Sequence, residues 1–118
     1  MKFQGTNITM VRGTTDSITI KLSDENDNQV NFTTGDVIYF TVKESPNSTV
    51  DTLQIEVDTF INGQAIISLL PEHTKDLSFK DYRYDIRFIK SDGTVRNIVN
   101  DSKFTVGTNI TSEVSNNG

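Results

Sequence analysis

The segment from Tyr82 to Lys90 constrains the fold more than any other part of the chain. It reads Tyr-Arg-Tyr-Asp-Ile-Arg-Phe-Ile-Lys. Successive side chains of an extended strand point to opposite faces, so one face would carry the large residues Tyr82, Tyr84, Ile86 and Phe88. A helix would scatter these four groups around its axis. The alternation therefore predicts a half-buried strand of an antiparallel sheet.

The same period of two recurs between clusters of turn-forming residues. It predicts further strands at residues 7–12, 17–22, 37–43, 64–70 and 94–106, and one carrying Leu53, Ile55 and Val57 that extends toward Phe60. The polar run 100–103 interrupts the last strand and indicates a bulge or a change of sheet. About seven or eight short strands with frequent turns are typical of a two-sheet sandwich.

Two dipeptides predict tight hairpins. Asn62-Gly63 suits a turn whose central residues both have positive φ, and residues 64–70 should return antiparallel to the preceding strand. Asp92-Gly93 should close a second hairpin after the Tyr82 strand. The only helical segment predicted is a crossover of one or two turns at residues 71–77, with Pro71 early and Glu72 near the positive end.

We therefore expect an all-β, immunoglobulin-like antiparallel β-sandwich of about seven or eight strands with one short helical crossover. Residues 1–111 should form this single domain, followed by a polar, disordered tail at 112–118. Tyr82 lies near the start of a late strand, where a tyrosine corner would bond back to upstream backbone. The predicted core consists of Ile18, Ile20, Leu22, Ile38, Phe40, Val42, Ile67, Leu69, Tyr84, Ile86, Phe88 and Phe104.

Composition restricts the classes of function. The 118 residues contain no cysteine, which excludes disulfides, thiolate zinc sites and cysteine nucleophiles. The net charge is -5, and the basic residues form no stripe along the chain, so we expect no nucleic-acid partner. No apolar run resembles a signal peptide or a membrane span, so we expect a soluble protein made in the cytoplasm, with no membrane partner.

Each candidate for chemistry has a simpler interpretation. The single histidine, His73, has no motif around it and is interpreted as a surface residue. Asp24, Asn26 and Asn28 match the opening of a calcium loop, but the glycine and closing glutamate are missing, so a polar hairpin turn is favoured. Asp85 is expected to face outward beside Arg83 and Arg87 and to form a cross-strand ion pair. We therefore predict no catalytic, cofactor-binding or metal-binding residue, and no cofactor.

Several stretches together resemble a β-sandwich module found in tail and baseplate proteins of bacteriophages and prophages of Gram-positive bacteria. They are Arg12-Gly13 with the strand to Leu22, Phe40-Thr41-Val42-Lys43, the run from Gly63 to Thr74 containing Pro71-Glu72-His73-Thr74, Tyr82-Arg83-Tyr84-Asp85-Ile86, Asp92-Gly93-Thr94, Phe104-Thr105-Val106 and Ile110-Thr111. The resemblance covers residues 11–111. It departs at Asp81, where the family usually has glycine, which puts the geometry of a turn there in question.

The resemblance implies a non-enzymatic structural protein of a virion tail, similar to the N-terminal domain of baseplate upper proteins. Its partners would be other tail or baseplate proteins, and homo-oligomers are possible. The alternative is a carbohydrate-binding sandwich that recognises a glycan of the host surface. Such sites usually need exposed aromatic rings, and Tyr39 is the plausible outward ring within a strand.

Overall fold

The computed structural model describes residues 1–108, in which the chain forms ten strands and one short helix. In chain order these elements are β1 (Lys2–Gln4), β2 (Asn7–Val11), β3 (Asp16–Ile20), β4 (Leu22–Ser23), β5 (Gln29–Val30), β6 (Val37–Lys43), β7 (Leu53–Val57), β8 (Ala65–Leu69), α1 (Pro71–Thr74), β9 (Lys80–Ile89) and β10 (Val95–Gly107). The expected tail at 112–118 and the domain boundary at 111 lie outside the described residues.

β9 lies in the middle of a six-stranded sheet with the order β1-β2-β10-β9-β6-β7. The alternation predicted for this strand is confirmed, because the side chains Tyr82, Tyr84, Ile86 and Phe88 are all buried. Aromatic rings from three neighbouring strands meet on this face. The centroid of the Phe40 ring lies 5.3 Å from that of Tyr84 and 5.9 Å from that of Phe104. Tilted and edge-on contacts of this kind stabilise a core beyond the burial of their area.

A second layer packs on this face. β3 and β8 pair antiparallel, and their inward residues, among them Ile18 and Ile67, belong to the same buried cluster as the large sheet. A third pair, β4 and β5, forms a separate hairpin. The all-β, sandwich-like class is confirmed. Every predicted core residue is buried except Leu22, which is partly exposed and packs against the cluster.

The predicted pairing of residues 64–70 with the preceding strand is wrong. The Asn62-Gly63 turn forms with positive φ at both residues, 53° and 73°, and Ile61 and Gln64 exchange two backbone hydrogen bonds of 2.9 Å. The ladder ends there, because β8 pairs with β3 while β7 pairs with β6. A turn dipeptide specifies a local reversal, whereas the pairing of the strands that follow is decided by which faces they bury.

The N-terminal region differs from the prediction in two respects. β1 precedes the predicted first strand and pairs with it antiparallel around Gly5, whose φ is 62°. β2 then pairs parallel with β10, with Ile8 opposite Phe104, so the expectation of an entirely antiparallel sandwich is wrong at this position. Ile8 and Met10 are each 1% exposed, so β2 contributes both side chains to the core. Alternation predicts a face and carries no information about a strand's neighbour or its direction.

Two predicted strands are interrupted in the structure. The strand at 17–22 is divided, because β3 ends at Ile20 and Leu22 begins the β4–β5 hairpin. The irregularity expected at 100–103 is confirmed as two register shifts of β10 against β9, between Asn97 and Val99 and between Val99 and Ser102. Asp101 there has a φ of 51°, an uncommon value for a residue with a side chain.

Candidate functional site

The Arg12-Gly13 turn after β2 packs against the helical crossover. The Gly13 amide donates a hydrogen bond of 2.8 Å to the hydroxyl of Thr74, which is fully buried at the end of α1. The Arg12 guanidinium donates to the Leu77 carbonyl at 3.2 Å and lies 3.9 Å above the Phe79 ring. Two stretches far apart in sequence therefore form one contact. The buried role of Thr74 was not predicted, since it sits in a polar run with no periodic pattern.

Tyr82 makes the contact expected of a tyrosine corner. Its ring is 3% exposed, and its hydroxyl donates to the Ser78 carbonyl at 3.1 Å. The bond fixes the chain between α1 and the start of β9. Asp81 lies inside β9, opposite Thr105, so the tight turn considered at this position does not occur. Its carboxylate instead accepts a 2.7 Å hydrogen bond from the Thr105 hydroxyl.

Tyr84 ties the centre of the sheet to the β1–β2 turn. Its hydroxyl donates to the Thr6 carbonyl, and the Thr6 hydroxyl lies 2.6 Å from that of Ser102 in the bulged part of β10. Burial disfavours the phenolate and raises the pKa of Tyr84 to about 12. A buried polar group of this kind is tolerated because its hydrogen bond is made.

The Asp92-Gly93 hairpin between β9 and β10 is confirmed. Lys90 and Thr94 close it with a 2.8 Å backbone bond, Gly93 bonds back to Lys90 at 2.9 Å, and the φ of Gly93 is 92°. This is a three-residue loop ending in a left-handed glycine. Hydrogen bonds from the side chain and the amide of Thr94 lower the pKa of Asp92.

Residues 29–36 contact both predicted hairpin turns, Asn62-Gly63 and the loop of Asp92-Gly93. The Phe32 amide donates to the Gly63 carbonyl at 3.0 Å. Asp36, 4% exposed, accepts from the amides of Thr33 and Ser91 at 2.9 Å each. The burial of Asp36 was not predicted. An aspartate before a strand gives no local signal that its carboxylate will be buried between two loops.

The residues considered for chemistry serve as structural links. Nδ1 of half-buried His73 accepts the Leu70 amide at 2.9 Å, at the start of α1. Asp24 accepts the amides of Asn26 and Asn28 at 2.9 Å each, so its loop is the hairpin turn that was favoured. The predicted ion pair of Asp85 is wrong, because no lysine or arginine nitrogen among residues 1–108 lies within 4.0 Å of its carboxylate.

The bulge in β10 brings Asp101 to Arg83, which lies two residues before Asp85 in β9. Arg83 Nε lies 2.9 Å from the Asp101 carboxylate, and the same guanidinium donates to the Asp101 carbonyl at 3.0 Å. The irregular turn of the bulge, which projects Asp101 toward β9, therefore decides this pairing.

Two surfaces remain as candidate binding sites. The outer face of the six-stranded sheet has a shallow hollow of about 490 Å³, lined by Tyr39, Lys43, Gln54, Asp85 and Arg87 among others. The Tyr39 ring faces outward there, as predicted, and is half-buried. The second surface is a cleft of about 810 Å³ between the β4–β5 and β9–β10 hairpins, with Phe88 in its floor.

Residues 1–108 contain neither a metal-ligand cluster nor a helix suited to span a membrane. No cluster of three or more histidine and carboxylate side chains there is arranged to hold a metal ion. The helical part of the same range offers no segment with the length and apolar character needed to cross a bilayer. No protein-family model matches the chain, and no curated protein matches it in sequence.

Proposed function

We propose that the chain is a non-enzymatic structural module of a bacteriophage or prophage tail, associated with the baseplate and acting by docking to other virion proteins. The observation that supports this most is the contact between stretches that carry the sequence resemblance. Arg12-Gly13 bonds to Thr74 of the Pro-Glu-x-Thr stretch and to the carbonyl of Leu77. The recurrent residues therefore hold the fold together.

A framework of this kind favours a module whose function lies in its surface. The outermost strands of the six-stranded sheet, β1 and β7, each pair on one side within residues 1–108. Unpaired strand edges can accept a strand from another chain, either a tail protein or a second copy of this one. In this proposal the protein is made in the cytoplasm of the host bacterium and resides in the virion.

Co-purification with the tail proteins of the same phage genome tests the proposal. Each tail gene is co-expressed with this chain, and the complexes are separated by size-exclusion chromatography with light scattering. A stable complex of fixed stoichiometry with at least one tail protein is expected, and matched capsid proteins serve as the control. A chain that remains free with every tail protein contradicts the proposal.

A carbohydrate-binding module is the second candidate, supported by the position of Tyr39. Its outward ring lies in a hollow with the polar groups Gln54, Asp85 and Arg87, a combination of stacking surface and hydrogen-bonding groups that suits a sugar. A glycan array tests it. Selective binding that is lost in Tyr39→Ala and kept in Phe3→Ala, which alters an exposed ring on β1, would favour this function. An array without a selective signal would count against it.

A further inference from the structure

The 810 Å³ cleft at one end of the sandwich has an apolar floor. Phe88, Leu22 and Ile98 lie in it, and Val30, 43% exposed, stands at its side. Its volume falls within the range of about 300–1,000 Å³ common among ligand sites. The β4–β5 hairpin, residues 31–36 and the β9–β10 hairpin border the cleft, and its lining includes no residue of β3 or β8. Phe88 is only 5% exposed because the Phe32 ring packs edge-on against it, so Leu22, Ile98 and Val30 supply most of the accessible apolar surface.

Two cations point into this cleft from the inner face of the sheet. Arg96 is directly opposite the buried Phe88 in the β9–β10 ladder, so both side chains lie on the same face. Lys90 follows Phe88 by two residues and shares that face. Neither cation lies within 4.0 Å of a carboxylate among the described residues. Cations on an inward face are unusual, because that face normally carries core residues.

The acids that border the cleft are engaged by their own loops. Both carboxylate oxygens of Asp36 accept backbone amides, from Thr33 and Ser91. Asp92 accepts the Thr94 amide at 2.8 Å, and hydrogen bonds from Thr94 are the largest cause of its lowered pKa. Polar side chains such as Ser23, Ser91 and Asn97 also line the cleft, and the donors of Lys90 and Arg96 suit an incoming carboxylate.

An open strand edge borders the same cleft. β2 covers β10 only at Phe104–Gly107, so within residues 1–108 the edge of Val95–Asn100 has no neighbouring strand on the side away from β9. Lys90 and Thr94 form a hydrogen-bonded pair, and hydrogen-bonded and non-bonded pairs alternate along an antiparallel ladder. Val95 and Asn97 therefore direct their N–H and C=O groups toward this open side.

We propose that this edge and cleft bind an extended segment of a partner protein that carries an acidic residue between apolar ones. The segment adds as a strand beside residues 95–100, inserts an apolar side chain against Leu22, Val30 and Ile98, and places its carboxylate between Lys90 and Arg96. Backbone pairing supplies affinity and the alternate side chains supply specificity. This inference rests on the proposed function only in expecting the segment to belong to another virion protein.

Synthetic peptides test strand addition directly. The probe is acetyl-Ser-Val-Thr-Glu-Thr-Val-Ser-amide, in which the valines and the glutamate share one face of a strand, with versions carrying glutamine or lysine in place of glutamate. Binding is followed by ¹⁵N chemical-shift changes and by calorimetry. The glutamate peptide should bind with shifts centred on Val95, Asn97 and the Lys90–Thr94 loop, and the lysine peptide should bind at least about tenfold more weakly.

Backbone N-methylation separates strand pairing from simple attraction of charge. Alternate amides of a strand point in opposite directions, so two peptides are made, each methylated on one alternate set. One set faces β10 and the other faces solvent, so one of these peptides should lose binding and the other should keep it. Equal behaviour of the two would overturn the proposal, as would shifts centred on β1 or β7.

A pair of charge reversals supplies the protein control. Arg96→Glu removes a cation from the cleft, whereas Arg87→Glu makes the same change on the outer face, opposite Asn97. Roughly a tenfold loss of peptide affinity is expected for the first variant only, and equal effects of both overturn the proposal. A tail complex that forms equally well with Arg96→Glu contradicts this inference and leaves the proposed function standing. Peptide binding without any tail complex supports this inference and contradicts the proposed function.

Discussion

The amide of Gly13 and the hydroxyl of Thr74 are joined by a hydrogen bond of 2.8 Å that connects the turn after β2 to the end of α1. Thr74 is completely buried. Its backbone carbonyl also accepts the Leu77 amide at 2.9 Å, so one small residue holds two loops together. A buried polar contact of this kind is costly to break, because the remaining partner keeps its desolvation penalty.

Thr74→Val should destabilise the protein by about 1–3 kcal/mol, because valine fills the same space and leaves the Gly13 amide without an acceptor. Chemical denaturation monitored by circular dichroism measures the change in the free energy of unfolding. Thr19→Val, on the exposed face of β3, is the control and should change that free energy by less than about 0.5 kcal/mol. Equal effects of the two substitutions would contradict the role given to Thr74.

Tyr82→Phe removes the hydroxyl that donates to the Ser78 carbonyl and leaves the ring in the core. A loss of about 0.5–1.5 kcal/mol of unfolding free energy is expected, which is typical of one neutral hydrogen bond. The same change at Tyr39, on the outer face of the sheet, serves as the comparison and should have little effect on stability. A Tyr82→Phe protein as stable as its parent would show that the corner does not stabilise the fold.

Tyr84 makes the stability of the protein depend on alkaline pH. Its pKa is about 12 in the folded chain, against an ordinary value of 10.0, because burial penalises the phenolate. The folded state therefore holds this proton more tightly than the unfolded state. The stabilisation is complete below pH 10 and is lost as the pH rises from 10 toward 12.

Denaturation curves between pH 9 and 11.5 measure this dependence, with the pH range set by the ordinary and raised pKa values of about 10 and 12. Tyr84→Phe should show a smaller loss of stability across that range, although its stability at neutral pH is lower because the bond to Thr6 is gone. An unchanged alkaline slope in this variant would mean that other groups cause it.

Gly63→Ala and Gly13→Ala form a matched pair. The two glycines have nearly the same φ, 73° and 76°, so alanine should pay a similar backbone cost of about 1–2 kcal/mol at each. A Cβ at position 63 would lie 2.2 Å from Oδ1 of Asn31, whereas a Cβ at position 13 meets no heavy atom within 4 Å. Thermal and chemical unfolding should show Gly63→Ala to be the more damaging change, and the reverse order would refute the contact with Asn31.

Local patterns predicted the strands well and their partners poorly. Alternation along β9 and the Asp92-Gly93 signal each describe residues that are close in sequence, and both were confirmed. The pairing of β8 with β3 and the parallel contact of β2 with β10 join residues far apart, so each depends on which buried faces fit together. β1 is three residues long, too short to show any period.

For the candidate binding surfaces, too, local features could be predicted and long-range contacts could not. The outward position of Tyr39 could be predicted from its place in β6, because an alternating strand assigns each side chain a face. The open cleft could not, because it depends on how the β4–β5 hairpin and residues 31–36 lie against the β9–β10 hairpin, which are contacts between parts of the chain far apart in sequence. Arg96 comes opposite Phe88 because the register set by the Asp92-Gly93 hairpin continues unchanged up to the bulge, which begins after Asn97.

The parallel pairing of β2 with β10 has a consequence for biosynthesis. Residues 7–11 emerge from the ribosome early, and the partners they require, residues 104–107, are made almost a hundred positions later. Until then β2 carries the apolar side chains Ile8 and Met10 with nothing to cover them. The nascent chain therefore exposes apolar surface on β2 until residues 104–107 are made. Closure of the sheet should be a late, slow step, which a chaperone or a pre-assembled neighbouring protein would assist.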